Sequence, residues 1–345
     1  MSQYDDSQWD DPIARETQVR VEGMQISVPR SVIDAKNSMS DLRELVRGEL
    51  DGVVVGYEDE IDLLVVAAVA GGHVLLEGPP GIAKTLMASA VARVLGVSFK
   101  RAQFTPETTP DEIIGVNITR AGETVFRPGT VFTNILLADE INRTPPRTQA
   151  ALLEAMQERH VTVEGRTHWL PVPFMVIATQ NPYEQAGIFP LPESQLDRFL
   201  FKLHLDYASA GVERAVLRLP HRGLVPDVLG DVQPLLDMAR LQAAQEDLDG
   251  TPAPDDVIAF IVDLVRATRE ADDIVLGASP RASVHLLAAA KAHARLNNRV
   301  AVSRQDVIEM AHHALDHRMI SNGVDPASIV DEAIEVAQRM RPAPA

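Results

Sequence analysis

The sequence predicts an α/β fold: a five-stranded parallel sheet with helices between the strands and hairpins added, followed by a smaller all-helical domain. Three observations predict it. A glycine-rich loop, Gly78 to Thr85, lies between a short apolar run and a helical stretch. A second apolar run, Ile135 to Ala138, ends in two carboxylates, Asp139 and Glu140. After Tyr207 the strand-like runs stop and helical spacing takes over.

The loop comes first because the rest of the chain is arranged around it. Val74-Leu75-Leu76 reads as a buried strand, Gly78-Pro79-Pro80-Gly81-Ile82-Ala83 as a turn, and Lys84-Thr85-Leu86 as the start of a helix that Gly96 stops. Strand, glycine loop, Lys-Ser/Thr and helix form a phosphate cradle. Backbone amides and the helix N-terminus face the anion, the lysine neutralises it, and the hydroxyl ligates Mg²⁺. The usual pattern is G-x-x-x-x-G-K-[ST], and Ala83 replaces its second glycine. Only a positive φ demands glycine, so a helix-like backbone is expected at Ala83. The alternative is a glycine turn that merely precedes a lysine.

Taken in order, residues 1–35 read as a flexible acidic arm in which Val19 to Glu22 alternates like an edge strand. Residues 36–206 read as the sheet domain. Met39, Leu42, Leu45, Val46 and Leu50 recur at helical spacing, and a helix follows from Glu58 to Ala70. Between them Gly56-Tyr57 can accept an adenine ring or simply turn the chain into the helix. Phe99 to Phe104 is the next strand, and Thr105 to Gly115 is polar and turn-rich. Val116 to Thr119 with Thr124 to Arg127, and Val161 to Thr167, are hairpin patterns.

Asp139 and Glu140 close the strand Ile135 to Ala138, about 55 residues after Lys84. A buried strand carries them to the carboxyl edge of a parallel sheet, where such folds bind ligands. Asp139 can order Mg²⁺ through water, and Glu140 can polarise a water that attacks a terminal phosphate. Alone, such a pair often only caps the next helix. Phe174 to Thr179 is a fourth strand ending at Gln180-Asn181-Pro182, where Asn181 can hold a water or phosphate, or form an Asx turn. Phe199 to Leu205 is the fifth, preceded by Asp197-Arg198.

Residues 207–254 form a connector with a short helix near Leu235 to Gln245, and 255–345 a helical lid. Asp255 to Arg269 places Val257, Ile258, Ile261, Leu264 and Val265 on one face. Ser279-Pro280 and Ser303 with Asp306 open two more helices, and 326–340 gives the last. Arg281 sits in a first helical turn, where a cation opposes the helix dipole by up to ~1 kcal/mol. It makes sense there reaching a nucleotide phosphate, or in an ion pair with Asp272 or Asp273.

The chain has 46% apolar and 23% charged residues, a net charge of −17 and no cysteine. Disulfides, thiol catalysis and thiolate metal sites are excluded. A surface built mainly for nucleic acid is disfavoured, because that binding rests on neutralising phosphates. No run approaches the ~18 apolar residues of a membrane span, and the start MSQYDDSQWDD lacks a leader's basic and apolar regions, so a cytoplasmic protein is expected.

GPPGIAKT, ILLADEINRTPPRTQAALLEAMQE, VIATQNPYEQAGIFPLPESQLDRF and GASPRASVHLLAAAKA together resemble the MoxR family of AAA+ ATPases, over about residues 36 to 340. Alanine before the lysine is the form this family's loop usually takes. The resemblance implies an AAA+ P-loop sheet domain with a helical lid, ATP and Mg²⁺ as ligands, and a ring, expected to be hexameric. It assigns Lys84 and Thr85 to Walker A, Asp139 and Glu140 to Walker B, Asn181 to sensor 1 and Arg281 to sensor 2. Arg198 is similar to the arginine finger given to a neighbouring subunit's ATP, its alternative being a salt bridge to Asp197 or Glu193. Arg143 is a further interface candidate. Tyr57 departs from the family's usual glutamine, so adenine contacts there can differ. The hairpins resemble the helix-2 insert and the pre-sensor-1 hairpin, which face the ring pore in relatives. A chaperone-like role on client proteins, often beside a von Willebrand factor A domain partner, is what the resemblance implies. The rivals are a small-molecule P-loop kinase, a DNA-associated AAA+ motor and a nucleotide-gated scaffold that hydrolyses little.

Overall fold

The computed structural model describes residues 16–21, 24–29, 39, 42–120, 123–183, 187–219, 229–230 and 232–341. The acidic start of the arm, residues 1–15, lies outside them. Within the arm, β1 (Glu16–Val21) and β2 (Met24–Pro29) pair antiparallel, with Val19 opposite Ile26, so the expected edge strand has a partner next to it in sequence. Helices α1 (Leu42–Leu50) and α2 (Glu58–Val69) follow.

The sheet is built from β3 (Val74–Glu77), α3 (Lys84–Val94), β4 (Phe99–Gln103), a short helix α4 (Pro110–Ile114) and the hairpin β5 (Val116–Arg120) with β6 (Glu123–Arg127). Then come β7 (Ile135–Asp139), α5 (Pro146–Glu158), the hairpin β8 (His160–Val163) with β9 (Arg166–Trp169), and β10 (Met175–Gln180). A single turn, α6 (Glu193–Leu196), precedes β11 (Phe201–His204). Strand order is β11-β3-β10-β7-β4, all parallel, as the five-strand reading requires. Side chains alternate across a strand. Val74, Leu76, Leu137 and Ile177 therefore join one apolar core, and Leu75, Leu136, Ala138, Val176 and Ala178 another on the opposite face. The segment read as turn-rich contains α4 because Thr109 and Glu112 form a capping box and Pro110 pre-sets the first turn. The two hairpins meet side by side, through the Phe126–His168 ring stack at 3.7 Å and an Asn117 to Glu164 hydrogen bond.

The C-terminal half holds α7 (Ala210–Val216), α8 (Met238–Asp249), α9 (Asp255–Glu270), β12 (Ile274–Leu276), α10 (Pro280–Leu296), α11 (Arg304–Leu315), β13 (Ile320–Ser321) and α12 (Pro326–Met340). Its helical character and the caps at Ser279 and Ser303 agree with the sequence. Two details correct it. A small antiparallel ladder joins β12 to β13, and Ile258 is 42% exposed while Phe260 fills the core position beside Val257 and Ile261. One core runs from the sheet face through Leu64 and Val65 of α2 to Leu286 and Ala289 of α10, so lid and sheet share apolar packing. No helix among the described residues is long and apolar enough to cross a membrane.

Candidate nucleotide site

β3 delivers the chain to Gly78, which only glycine can occupy. A Cβ there would lie 2.3 Å from the Leu205 carbonyl oxygen. Gly81 has φ +83°, and Ala83 has φ 63°, ψ 18°. The helix-like backbone expected at Ala83 is therefore wrong: the alanine is left-handed, at a cost of about 1–2 kcal/mol. Ile82 between them is not among the positive-φ residues. Such an alternation of hand turns successive amides toward one concavity, the geometry of an anion nest. Lys84 opens α3 and folds back over the loop, donating from Nζ to the Gly78 oxygen at 2.6 Å and the Pro79 oxygen at 3.2 Å. Burial pushes its ammonium below the ordinary lysine value, against the pull of Asp139, Glu140 and Glu77.

The neighbouring strand ends bring the acids to the same place. Pro80, Lys84, Thr85, Asp139, Glu140 and Asn181 all line one cavity of about 460 Å³, with Arg101 and Gln103 of β4. Asp139 is buried. Its Oδ1 accepts from Thr179 Oγ1 at 2.7 Å, and its Oδ2 accepts from Arg101 Nε at 3.0 Å and Nη2 at 2.6 Å. Glu140 is also left-handed, φ 61° and ψ 48°, a conformation rare for a non-glycine and common at strained functional positions. Its amide donates to Thr179 Oγ1 at 2.9 Å, and its Oε2 receives Gln103 Nε2 at 2.7 Å and Arg143 Nε at 3.0 Å. Asn181 faces the cavity and also accepts from the Tyr183 amide at 3.1 Å, so the Asx turn and the cavity-facing amide coexist. Glu77, at the end of β3, bonds Lys202 at 2.8 Å, His204 at 2.9 Å and Gln180. His204 and Lys202 hold its carboxyl at about 2 in spite of burial, which acts the other way.

A second cavity of about 450 Å³ adjoins the first, sharing Gly81, Ala83 and Leu86. Val53, Val55, Tyr57, Ile82, Tyr207 and Val212 give it apolar walls of a size suited to a purine. Tyr57 is buried and its hydroxyl donates to the Asp206 oxygen at 3.1 Å, so the ring, not the hydroxyl, faces the cavity's contents. The Gly56 amide donates to Glu58 Oε1 at 2.9 Å and stands beside this wall.

The arginines lie elsewhere. Within this chain neither Arg198 nor Arg281 lines the cavity that holds Lys84 and Asp139. Both face a separate cavity of about 180 Å³ with Arg159 and His285. Arg198 Nη1 donates to the Leu153 oxygen at 2.7 Å, not to Asp197 or Glu193. Arg281 pairs with Asp197 at 3.6 Å, so its carboxylate partner is neither Asp272 nor Asp273. Asp197 also takes Ser279 Oγ at 3.0 Å and Arg318 Nη1 at 2.9 Å. Arg318, fully buried, was not singled out by the sequence; burial lowers it to about 10 while Asp197 opposes the fall.

A family model for the ATPase family associated with various cellular activities (AAA) matches residues 73–201, and an AAA lid domain matches 266–336. Chaperone MoxR1 of Mycobacterium tuberculosis is 40% identical over 304 residues, 83% of this chain and 79% of its own. The chain belongs to the MoxR family of AAA+ ATPases. The uncharacterised protein YeaC of Bacillus subtilis is 42% identical over 297 residues, 84% of this chain and 92% of its own. A solved structure from Cytophaga hutchinsonii, described as a candidate ATPase, superposes with a TM-score of 0.81 at 36% identity, covering 89% of this chain and 97% of that one. A MoxR-type ATPase hydrolyses ATP.

Proposed function

We propose that this MoxR-family ATPase works as a ring, hexameric by resemblance, that uses MgATP to remodel or mature client proteins in the cytoplasm. Residues 36–206 act as the nucleotide unit, 207–254 as connector and 255–345 as lid. The convergence of Lys84, Thr85, Asp139, Glu140 and Asn181 on one cavity carries the reading.

The adenine lies against Tyr57 and Val212, and the phosphates lie in the loop from Gly78 to Thr85. Lys84 leaves its own loop carbonyls for phosphate oxygens. Thr85 and Asp139 are the pair that would hold Mg²⁺. They supply the hard oxygen donors this ion takes, and the Arg101 guanidinium already stands on Asp139 as a cation, which shows that the carboxylate accommodates positive charge. Bound there, Mg²⁺ would neutralise charge on the triphosphate. Glu140 orients and deprotonates the attacking water, and Asn181 fixes its approach. Arg198, turned away from its own chain's cavity, acts on the ATP of the adjacent subunit, where a guanidinium spreads charge over the transferring oxygens. A von Willebrand factor A domain partner follows from the resemblance. The net charge of −17 favours protein over nucleic acid as client.

Glu140→Gln should bind ATP while losing turnover by about 10²- to 10⁴-fold. Arg198→Ala should bind ATP, fail to turn it over, and regain part of its activity when mixed with Lys84→Ala. Normal turnover by Glu140→Gln refutes the base assignment, and absence of rescue in the mixture refutes action across an interface.

A further inference from the structure

Arg101 has no part in the mechanism above, yet its guanidinium grips Asp139 in the cavity that holds Lys84. It stands on β4, whose register sets Gln103 opposite Asp139 and Arg101 opposite Leu137. From there the guanidinium reaches forward, and Nε and Nη2 both donate to Asp139 Oδ2. Nη2 also donates to Gln103 Oε1 at 3.0 Å, and Gln103 passes to Glu140. The other carboxylate oxygen of Asp139 accepts one bond, from Thr179. Asp139 is nearly closed to solvent, its side chain 11% exposed, whereas the Arg101 side chain is 50% exposed.

We propose that Arg101 is an internal counter-ion that competes with the divalent cation for Asp139, so that metal entry requires the guanidinium to leave and turn to the phosphates. This rests on the nucleotide reading of the cavity. Two charge arguments support it. Oδ2, holding two N–H bonds, has no lone pair left for the metal or for a water of its shell, and the guanidinium's charge opposes a second cation at Oδ1. A bare carboxylate beside a triphosphate would repel it, so Arg101 lets nucleotide enter before metal, at the expense of metal affinity. The freed guanidinium stays within the cavity that holds Lys84, where it adds a second cation in the same chain.

The test uses the full chain and N-methylanthraniloyl-ADP, with fluorescence titrated against Mg²⁺ and, separately, with EDTA present. Direct Mn²⁺ binding is followed by electron paramagnetic resonance. Arg101→Gln should need about three- to tenfold less Mg²⁺ for half-saturation, and should bind the nucleotide in EDTA about three- to tenfold more weakly than wild type. Mn²⁺ affinity should rise in parallel. Arg101→Lys keeps the charge but not the two-pronged contact, so its Mg²⁺ requirement should lie at or below wild type and above Arg101→Gln. If Arg101→Gln fails to fold, Arg101→Lys carries the test through its EDTA arm, where near-wild-type binding is expected and a loss beyond tenfold refutes the proposal. An unchanged or higher Mg²⁺ requirement in Arg101→Gln overturns it. If wild type takes up no labelled nucleotide at any Mg²⁺ concentration, the nucleotide reading itself falls.

Discussion

Replacing Ala83 by glycine separates two accounts of the loop by the sign of a single number. If Ala83 had helical dihedrals, glycine would cost about 0.5–1 kcal/mol, the usual penalty of glycine in a helix. The backbone instead has φ 63° and ψ 18°. A left-handed L-residue costs about 1–2 kcal/mol, which glycine removes, while the looser unfolded chain returns about 0.4–1 kcal/mol. The net expectation is stabilisation of about 0.5–1 kcal/mol. For a chain of this size that is a rise of ~0.7–1.4 °C in Tm. Thermal unfolding of nucleotide-free protein by circular dichroism reads it, with Ala83→Val as the opposite control, since a β-branched residue tolerates this region least. The order should be Gly above Ala above Val. A Tm for Ala83→Gly below wild type would refute the left-handed assignment and restore the helix-like one.

Three further changes test the frame around the loop. Gly78→Ala puts a methyl 2.3 Å from the Leu205 oxygen, so the loop must move and nucleotide affinity, measured by calorimetry, should fall at least about tenfold. Arg318→Ala removes the buried cation that holds Asp197 and the Phe199 carbonyl, and should cost roughly 3–5 kcal/mol in denaturant unfolding. Glu77 titrates at about 2 in the fold against an ordinary 4.5, so its ionised form stabilises the protein above the unfolded value. That contribution is lost as pH falls from 4.5 toward 2; Glu77→Gln should therefore be less stable than wild type at pH 7, with the gap narrowing in acid.

What the sequence revealed and what it hid divide along the range of the interaction. The five core strands are continuous apolar runs with glycine, proline or acids at their ends, and both faces of a parallel sheet are covered, so each run reads as itself. The caps at Ser279 and Ser303 are equally local, a side chain meeting an amide three residues on. The hand of Ala83 and Glu140 is local too, yet spacing cannot show it, because composition is silent on φ unless glycine marks the place. The partners of the chemical groups are a different matter. Asp139 meets Arg101 across the β4–β7 pairing, and Arg281 meets Asp197 from the far side of the connector. Asp272 and Asp273 were the natural choices for Arg281 because they are near in sequence, but the cap that places Ser279 on Asp197 turns the first turn of α10 toward β11. The same contact explains why Arg198 and Arg281 share a cavity and Lys84 has another. In the ring proposed above, Arg198, which lines the second cavity and not the first, would complete the site of a neighbouring copy.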